Sequence, residues 1–280
     1  MRTLYAAALL AAAVPMSVTA DEKVEKLIEG ANAAYQGGRF KEAVELAKKA
    51  AKADPKNASA PTLAGLSHLQ LRDNAAAIEM LSTAIDLDPK GAVAYDRRGD
   101  AYLKSGKFKE AIVDFDKFLE MRPKAAADHW RRGIALYYAG RYDDGRKQFD
   151  LHRSVNPEDV ENSAWHYLCN ARATSPKKAR EDLIPVTKDA RIPMKQVLEL
   201  FAGKLTPADV IAAAEGSGAK GEELKEGRFY AHLYVGLYYE SEKDAKKALE
   251  HLTDAVEKYK IGHYMWDVGD AHLKLLKSQK

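Results

Sequence analysis

Residues 96–123, DRRGDAYLKSGKFKEAIVDFDKFLEMRP, read as two helical stretches joined at Lys104-Ser105-Gly106-Lys107, with a glycine, Gly99, set well inside the first. A glycine there costs roughly 1 kcal/mol of helix stability relative to alanine, so some contact must gain from the absent side chain. The rest of the chain points to that contact. Pro55, Pro89, Pro123 and Pro157 follow one another at intervals of 34 residues. Counted back from them, the places at −24 hold Ala31, Gly65, Gly99 and Gly133, and those at −12 hold Ala43, Ala77, Ala111 and Gly145, all tiny. The places at −15 (Phe40, Asn74, Phe108, Tyr142) and −8 (Ala47, Leu81, Phe115, Phe149) mostly carry larger groups. A 34-residue period of helical patterns is that of a stacked helix-turn-helix array. The two helices of each repeat are expected to cross where Gly99 faces Ala111. Each large side chain packed around the crossing contributes roughly 1.5 to 3 kcal/mol, more than the propensity loss.

These positions resemble the tetratricopeptide repeat, in frame over residues 24–57, 58–91, 92–125 and 126–159. A further copy near the C-terminus, AHLYVGLYYESEKDAKKALEHLTDAVEKY, again sets Gly236 and Ala248 twelve apart, with Lys260 where the proline would stand. The resemblance implies an all-α, right-handed superhelical solenoid. Between the two blocks the period fails, because Tyr167 takes the small place, and residues 160–227 are expected to form a degenerate repeat and irregular helices. MKQVLELFAGKLTPADVIAAAEG reads as two short helices, the first ended by Gly203 and the second capped by Thr206 before Pro207. Gly216 to Gly227 reads as a flexible loop. Residues 228–280 then carry the returning repeat and an amphipathic capping helix, GHYMWDVGDAHLKLLKSQK.

The chain of 280 residues is 46% hydrophobic and 30% charged, which suits a globular helical protein. Residues 1–20 are different: Arg2, an apolar run from Leu4 to Val14, then small residues ending at Ala20, the pattern of a cleavable signal peptide too short to span a membrane. A secreted or periplasmic location follows as an expectation, with no membrane anchor after cleavage. The formal charge of +3 is interspersed, which gives no support for nucleic-acid binding. The single cysteine, Cys169, cannot close an internal disulfide.

In this family the first helix of each repeat lines the concave side. That frame puts Asn32, Tyr35, Thr62, Leu66, Leu69, Asp96, Arg97, Asp100, Lys104, Trp130, Ile134, Tyr137 and Tyr138 on the inner face. Of these, Asn32, Tyr35, Arg97, Asp100, Trp130, Ile134, Tyr137 and Tyr138 are the candidate partner-binding residues, with aromatic anchors and Arg97 as a donor to carboxylate. The likeness extends in outline to bacterial envelope adaptor proteins built on these repeats, and implies a scaffold that binds a protein or peptide, with self-association as an alternative. The carboxylate clamp of some relatives is disfavoured, since Ile28, Leu63 and Val93 stand at three of its five places and only Asn32 and Arg97 agree. No phosphate-cradling glycine loop or metal-ligand spacing is present, and no cofactor is expected. The one thiol-imidazole pair, His166 and Cys169, would be the seat of a hydrolase, the least favoured reading, because no third orienting group is identifiable.

Overall fold

Successive helical patterns pair into hairpins: α1 (Ala20–Gln36) with α2 (Phe40–Ala53), α3 (Ser59–Gln70) with α4 (Asn74–Leu87), α5 (Ala92–Lys104) with α6 (Phe108–Met121), and α7 (Trp130–Tyr138) with α8 (Tyr142–His152). Next come α9 (Val160–Ala173), α10 (Pro176–Glu181), α11 (Met194–Phe201) and α12 (Pro207–Glu215). The hairpin returns as α13 (Gly221–Ser241) with α14 (Ala245–Thr253), and α15 (Tyr264–Ser278) ends the chain. This computed structural model describes residues 20–278, so the expected signal segment lies outside the described residues except for Ala20. Among the described residues there is no strand, and the chain is an all-α solenoid.

The contact that favours Gly99 is with the residue sixteen places on. A Cβ placed on Gly99 would stand 2.7 Å from Phe115 Cδ1 and 3.2 Å from the Ala111 carbonyl oxygen. At Gly65, Gly133 and Gly236 it would meet Leu81, Phe149 and Leu252 at 2.5, 2.6 and 2.7 Å. The small residue at −12 therefore brings the backbones together, as expected of Ala77, Ala111 and Ala248, all fully buried, but it is the knob at −8 that fills the glycine's gap. The first repeat carries the same fit at smaller size: Ala47 replaces the large knob, Ala31 replaces the glycine, and both are buried. Gly145 departs from this scheme, its gap being filled by Cys169 Sγ at 2.8 Å from the Cβ position.

Turn geometry repeats too. Gly38, Gly106 and Gly140 hold the left-handed conformation between paired helices (φ 72°, 73° and 75°). At the same place the second repeat has Arg72 (φ 59°) and the last has Lys243 (φ 65°), a conformation that costs a non-glycine residue roughly 1–2 kcal/mol.

α9 has no hairpin partner of its own after it. Tyr167, one period after Gly133, is fully buried and rests its ring 4.8 Å from that of Phe201 on α11. Its bulk closes the slot in which a second helix would nest, and the short helices α10 and α11 pack against α9 instead. Thr206 caps α12 in a reciprocal capping box with Asp209, as the Thr-Pro pattern implies. The expected loop from Gly216 to Gly227 is shorter than the glycines suggested. α13 begins at Gly221, with Glu222 and Glu223 in its first turn where carboxylates favour a helix start, and Gly227 is buried within it.

Candidate partner-binding site

First helices of neighbouring pairs lie side by side, α1 against α3, α3 against α5 and α7 against α9, and Arg131 on α7 reaches Asp96 on α5 at 2.7 Å. At its N-terminal end the inner face is open: Asn32 is exposed, and Tyr35 is half-buried with its ring 5.7 Å from Phe40. Thr62 and Leu66 on α3 are half-buried. Arg97 on α5 is exposed, its Nε 3.5 Å from Asp96 Oδ2.

Further along, the chain covers its own inner face. α15 packs against α5. Tyr264 Oη donates to Asp100 Oδ1 at 2.5 Å, Lys104 Nζ sits 4.5 Å from the centre of the Tyr264 ring, and the Trp130 ring meets that ring edge-on at 5.0 Å. From the α3–α4 turn, Arg72 reaches Asp267 at 3.6 Å and lies 4.9 Å from the Trp266 ring. The left-handed residue at this turn is thus also the one that touches the C-terminal helix. Deeper in, His272 Nδ1 and Tyr138 Oη lie 2.9 Å apart, and Tyr137 Oη donates to Glu240 Oε2 at 3.4 Å. Asp100, Ile134 and Tyr137 are therefore buried, Tyr35, Trp130 and Tyr138 half-buried, and of the eight candidates Asn32 and Arg97 are the exposed ones.

The buried charges here are matched. Burial alone would raise the Asp96 carboxyl, but the hydrogen bond from His129 Nε2 (3.0 Å) and the Arg131 and Arg97 guanidinium groups outweigh it and hold the group at about 2. Asp267 goes the other way: burial raises it, against the pull of Lys104 and Arg72. Tyr264 is pushed well up by burial and by the adjacent Asp100.

His166 and Cys169 share α9 but serve different neighbours. His166 Nε2 lies 3.1 Å from Asp150 Oδ1, whereas Cys169 fills the Gly145 gap. Burial pushes the thiol far up, which is the opposite of what a nucleophile needs, so this pair supplies no thiolate at neutral pH. Among the described residues no group of three or more His, Cys, Asp or Glu side chains is gathered to hold a metal ion, and no helix is long and apolar enough to cross a membrane.

Sequence reasoning missed the C-terminal half of this face. Tyr264, Trp266, Asp267 and His272 read as parts of a cap. Two features could have marked them: the aromatic cluster HYMW at the start of the expected amphipathic capping helix, and Arg72 in a place that three other repeats give to glycine.

A model of the tetratricopeptide repeat family matches residues 28–92 and 97–157. Among solved structures the chain is similar to a tetratricopeptide repeat protein from Parabacteroides merdae, with TM-score 0.60, 19% identity, and 91% of this chain and 99% of that one covered. It is also similar to MamA protein, with TM-score 0.53, 19% identity, and coverage of 66% and 94%. A third, the first repeat domain of Spaghetti (RPAP3) bound to an HSP90 peptide, shares 30% identity over 39% of this chain and 85% of that one, with TM-score 0.36. No curated protein matches the chain in sequence.

Proposed function

Because the chain belongs to the tetratricopeptide-repeat family, we propose that it is a non-enzymatic scaffold that holds a protein or peptide partner along its concave face. The observation that carries this reading is the N-terminal part of the inner face, on α1, α3 and the first half of α5, where Asn32 and Arg97 are exposed and Tyr35 is half-buried. A shape-complementary groove with a mixed aromatic and basic lining is the surface that extended peptides and helices use. The signal-like residues 1–20 support export, and with it a role in an envelope assembly outside the cytosol.

The reading is tested by placing a photo-crosslinking residue at position 32, 35 or 97 in cells and identifying the captured chains by mass spectrometry. A partner captured from all three places, and lost when Arg97 is replaced by Glu, is the expected result. Capture of nothing, or only of further copies of the chain, overturns the adaptor role and, in the second case, replaces it by self-association. Export is read from the mass of the mature protein: an N-terminus at Asp21 is expected, and a retained Met1 refutes it.

A further inference from the structure

A cavity of about 270 Å³ lies where α7, α8 and α9 meet the start of α15. Ile134, Phe149 and Trp165 line it as buried groups, Trp130 and Tyr264 as half-buried ones, and His263 is exposed at its edge. A void of about 150 Å³ is enough for benzene, so this one has room for the end of a long side chain.

The aromatic lining has acidic company. Asp159 and Glu161 line the same cavity, and Arg191 bonds both of them as well as Asp189, at 2.7, 2.7 and 2.6 Å. One guanidinium against three carboxylates leaves the cluster negative. Burial pushes Glu161 above its usual range, with Arg191 opposing and Asp159 reinforcing the shift. On the far side of His263 a second small cleft presents Glu222 and Glu226, of which Glu222 meets Lys225 at 3.5 Å. Asn162 and Trp165 are both buried in the lining, and the Asn162 Oδ1 acceptor and the Trp165 Nε1 donor have no hydrogen-bond partner.

Indole rings in the lining, surplus carboxylate and an unpartnered carbonyl acceptor together suit an organic cation. An anion would be repelled here. An uncharged apolar group would fill the space but leave the surplus charge and the Asn162 acceptor unanswered. We propose that this cavity receives the guanidinium or ammonium end of a basic side chain of the partner peptide, an inference that rests on the partner-binding reading above.

The full chain is titrated calorimetrically with agmatine, with choline, with 3,3-dimethyl-1-butanol as the uncharged isostere of choline, and with two tripeptides, acetyl-Gly-Arg-Gly-amide and its norleucine counterpart. Saturable binding of agmatine and the arginine peptide is expected, with the isostere and the norleucine peptide weaker by about tenfold or more. Glu161→Gln and Trp130→Ala should each weaken the arginine peptide by a similar factor. Should either variant misfold by circular dichroism, the Trp165 indole N–H resonance of the parent serves instead, shifting with agmatine and staying still with the isostere. No saturation by agmatine, equal binding of charged and uncharged members of either pair, or binding of agmatine without the arginine peptide overturns the proposal. Partner capture in cells together with failure of every cationic probe sinks this inference alone. Cation binding without any captured partner sinks the adaptor reading and leaves the cation site standing.

Discussion

Replacing Gly99 by alanine sets two effects of known size against each other. Helix propensity favours alanine by about 1 kcal/mol. The added Cβ, however, stands 2.7 Å from both Cδ1 and Cε1 of Phe115 and 3.2 Å from the backbone oxygen of Ala111. Phe115 is fully buried and has nowhere to turn, so α5 and α6 must part; overpacking of this kind costs about 1–3 kcal/mol. The single substitution should therefore lose about 1 kcal/mol net, a fall of about 2–4 °C in melting temperature. Phe115→Ala empties the gap and by itself costs about 3–5 kcal/mol. On that background the new methyl no longer meets a ring, and Gly99→Ala becomes stabilising by up to about 1 kcal/mol. The reversal of sign, a coupling of about 2 kcal/mol across the double-mutant cycle, is what urea unfolding of the four proteins should show. The first repeat already carries the double replacement, as Ala31 with Ala47. If Gly99→Ala stabilised the protein in both backgrounds, the ring of Phe115 would not be the reason for the glycine, and the account of repeat packing given above would be wrong.

Burial, with the His251 imidazole beside it, holds His232 down at about 4. The unfolded chain takes up that proton near pH 6.5 and the folded chain does not, so stability falls as pH drops from about 6.5 to about 4, by up to about 3 kcal/mol; His232→Phe should flatten this arm of the stability curve, and an unaltered arm would contradict the assignment. Tyr264→Phe removes the donor to Asp100, which is 4% exposed, and should cost about 1.5–3 kcal/mol in a urea titration; no loss would mean that α15 is not held through this bond. Arg72→Gly relieves the left-handed turn but gives up the Asp267 and Trp266 contacts, effects of about 1 kcal/mol each way. Overall stability should hardly move while amide exchange over residues 264–278 speeds up, and unchanged exchange there would show that Arg72 does not fasten the C-terminal helix.

What was legible in the sequence was whatever is settled within one repeat. The rule that a knob sits sixteen residues after each gap is written in Gly65 and Leu81, Gly99 and Phe115, Gly133 and Phe149, and Gly236 and Leu252, because both partners belong to one hairpin and their spacing repeats. The failure of the frame at Tyr167 was legible as a failure, but not in its outcome: a phenol in the small place excludes a close partner without saying what packs there, and Phe201 arrives from a helix 34 residues downstream. Gly216 to Gly227 misled for a different reason. Glycine counts as a breaker when only local propensity is weighed, whereas Gly227 is buried within a long helix where tertiary packing decides.

The candidate site was legible by half, and the dividing line is sequence distance. Asn32, Tyr35 and Arg97 could be placed on the inner face because the hairpin geometry puts them there. That α15 would lie over Asp100 could not be read, since Tyr264 is 164 residues away from it. The path between them accumulates the small rotation of each hairpin and then passes through the irregular stretch from Ser175 to Gly221, where no period constrains direction. A few degrees per repeat would carry Tyr264 past Asp100 or short of it. The groups that close the arc are polar or aromatic, with Arg72 on Trp266, Lys104 on Tyr264 and Tyr264 on Asp100, so no unmatched apolar stripe on α5 announces a covering helix beforehand. Each of these groups would also pass for an ordinary solvated residue of an open solenoid. Closure therefore leaves its trace in the sequence where a local expectation is broken, at Arg72, standing where the backbone asks for glycine, and in the aromatic run HYMW at the start of α15.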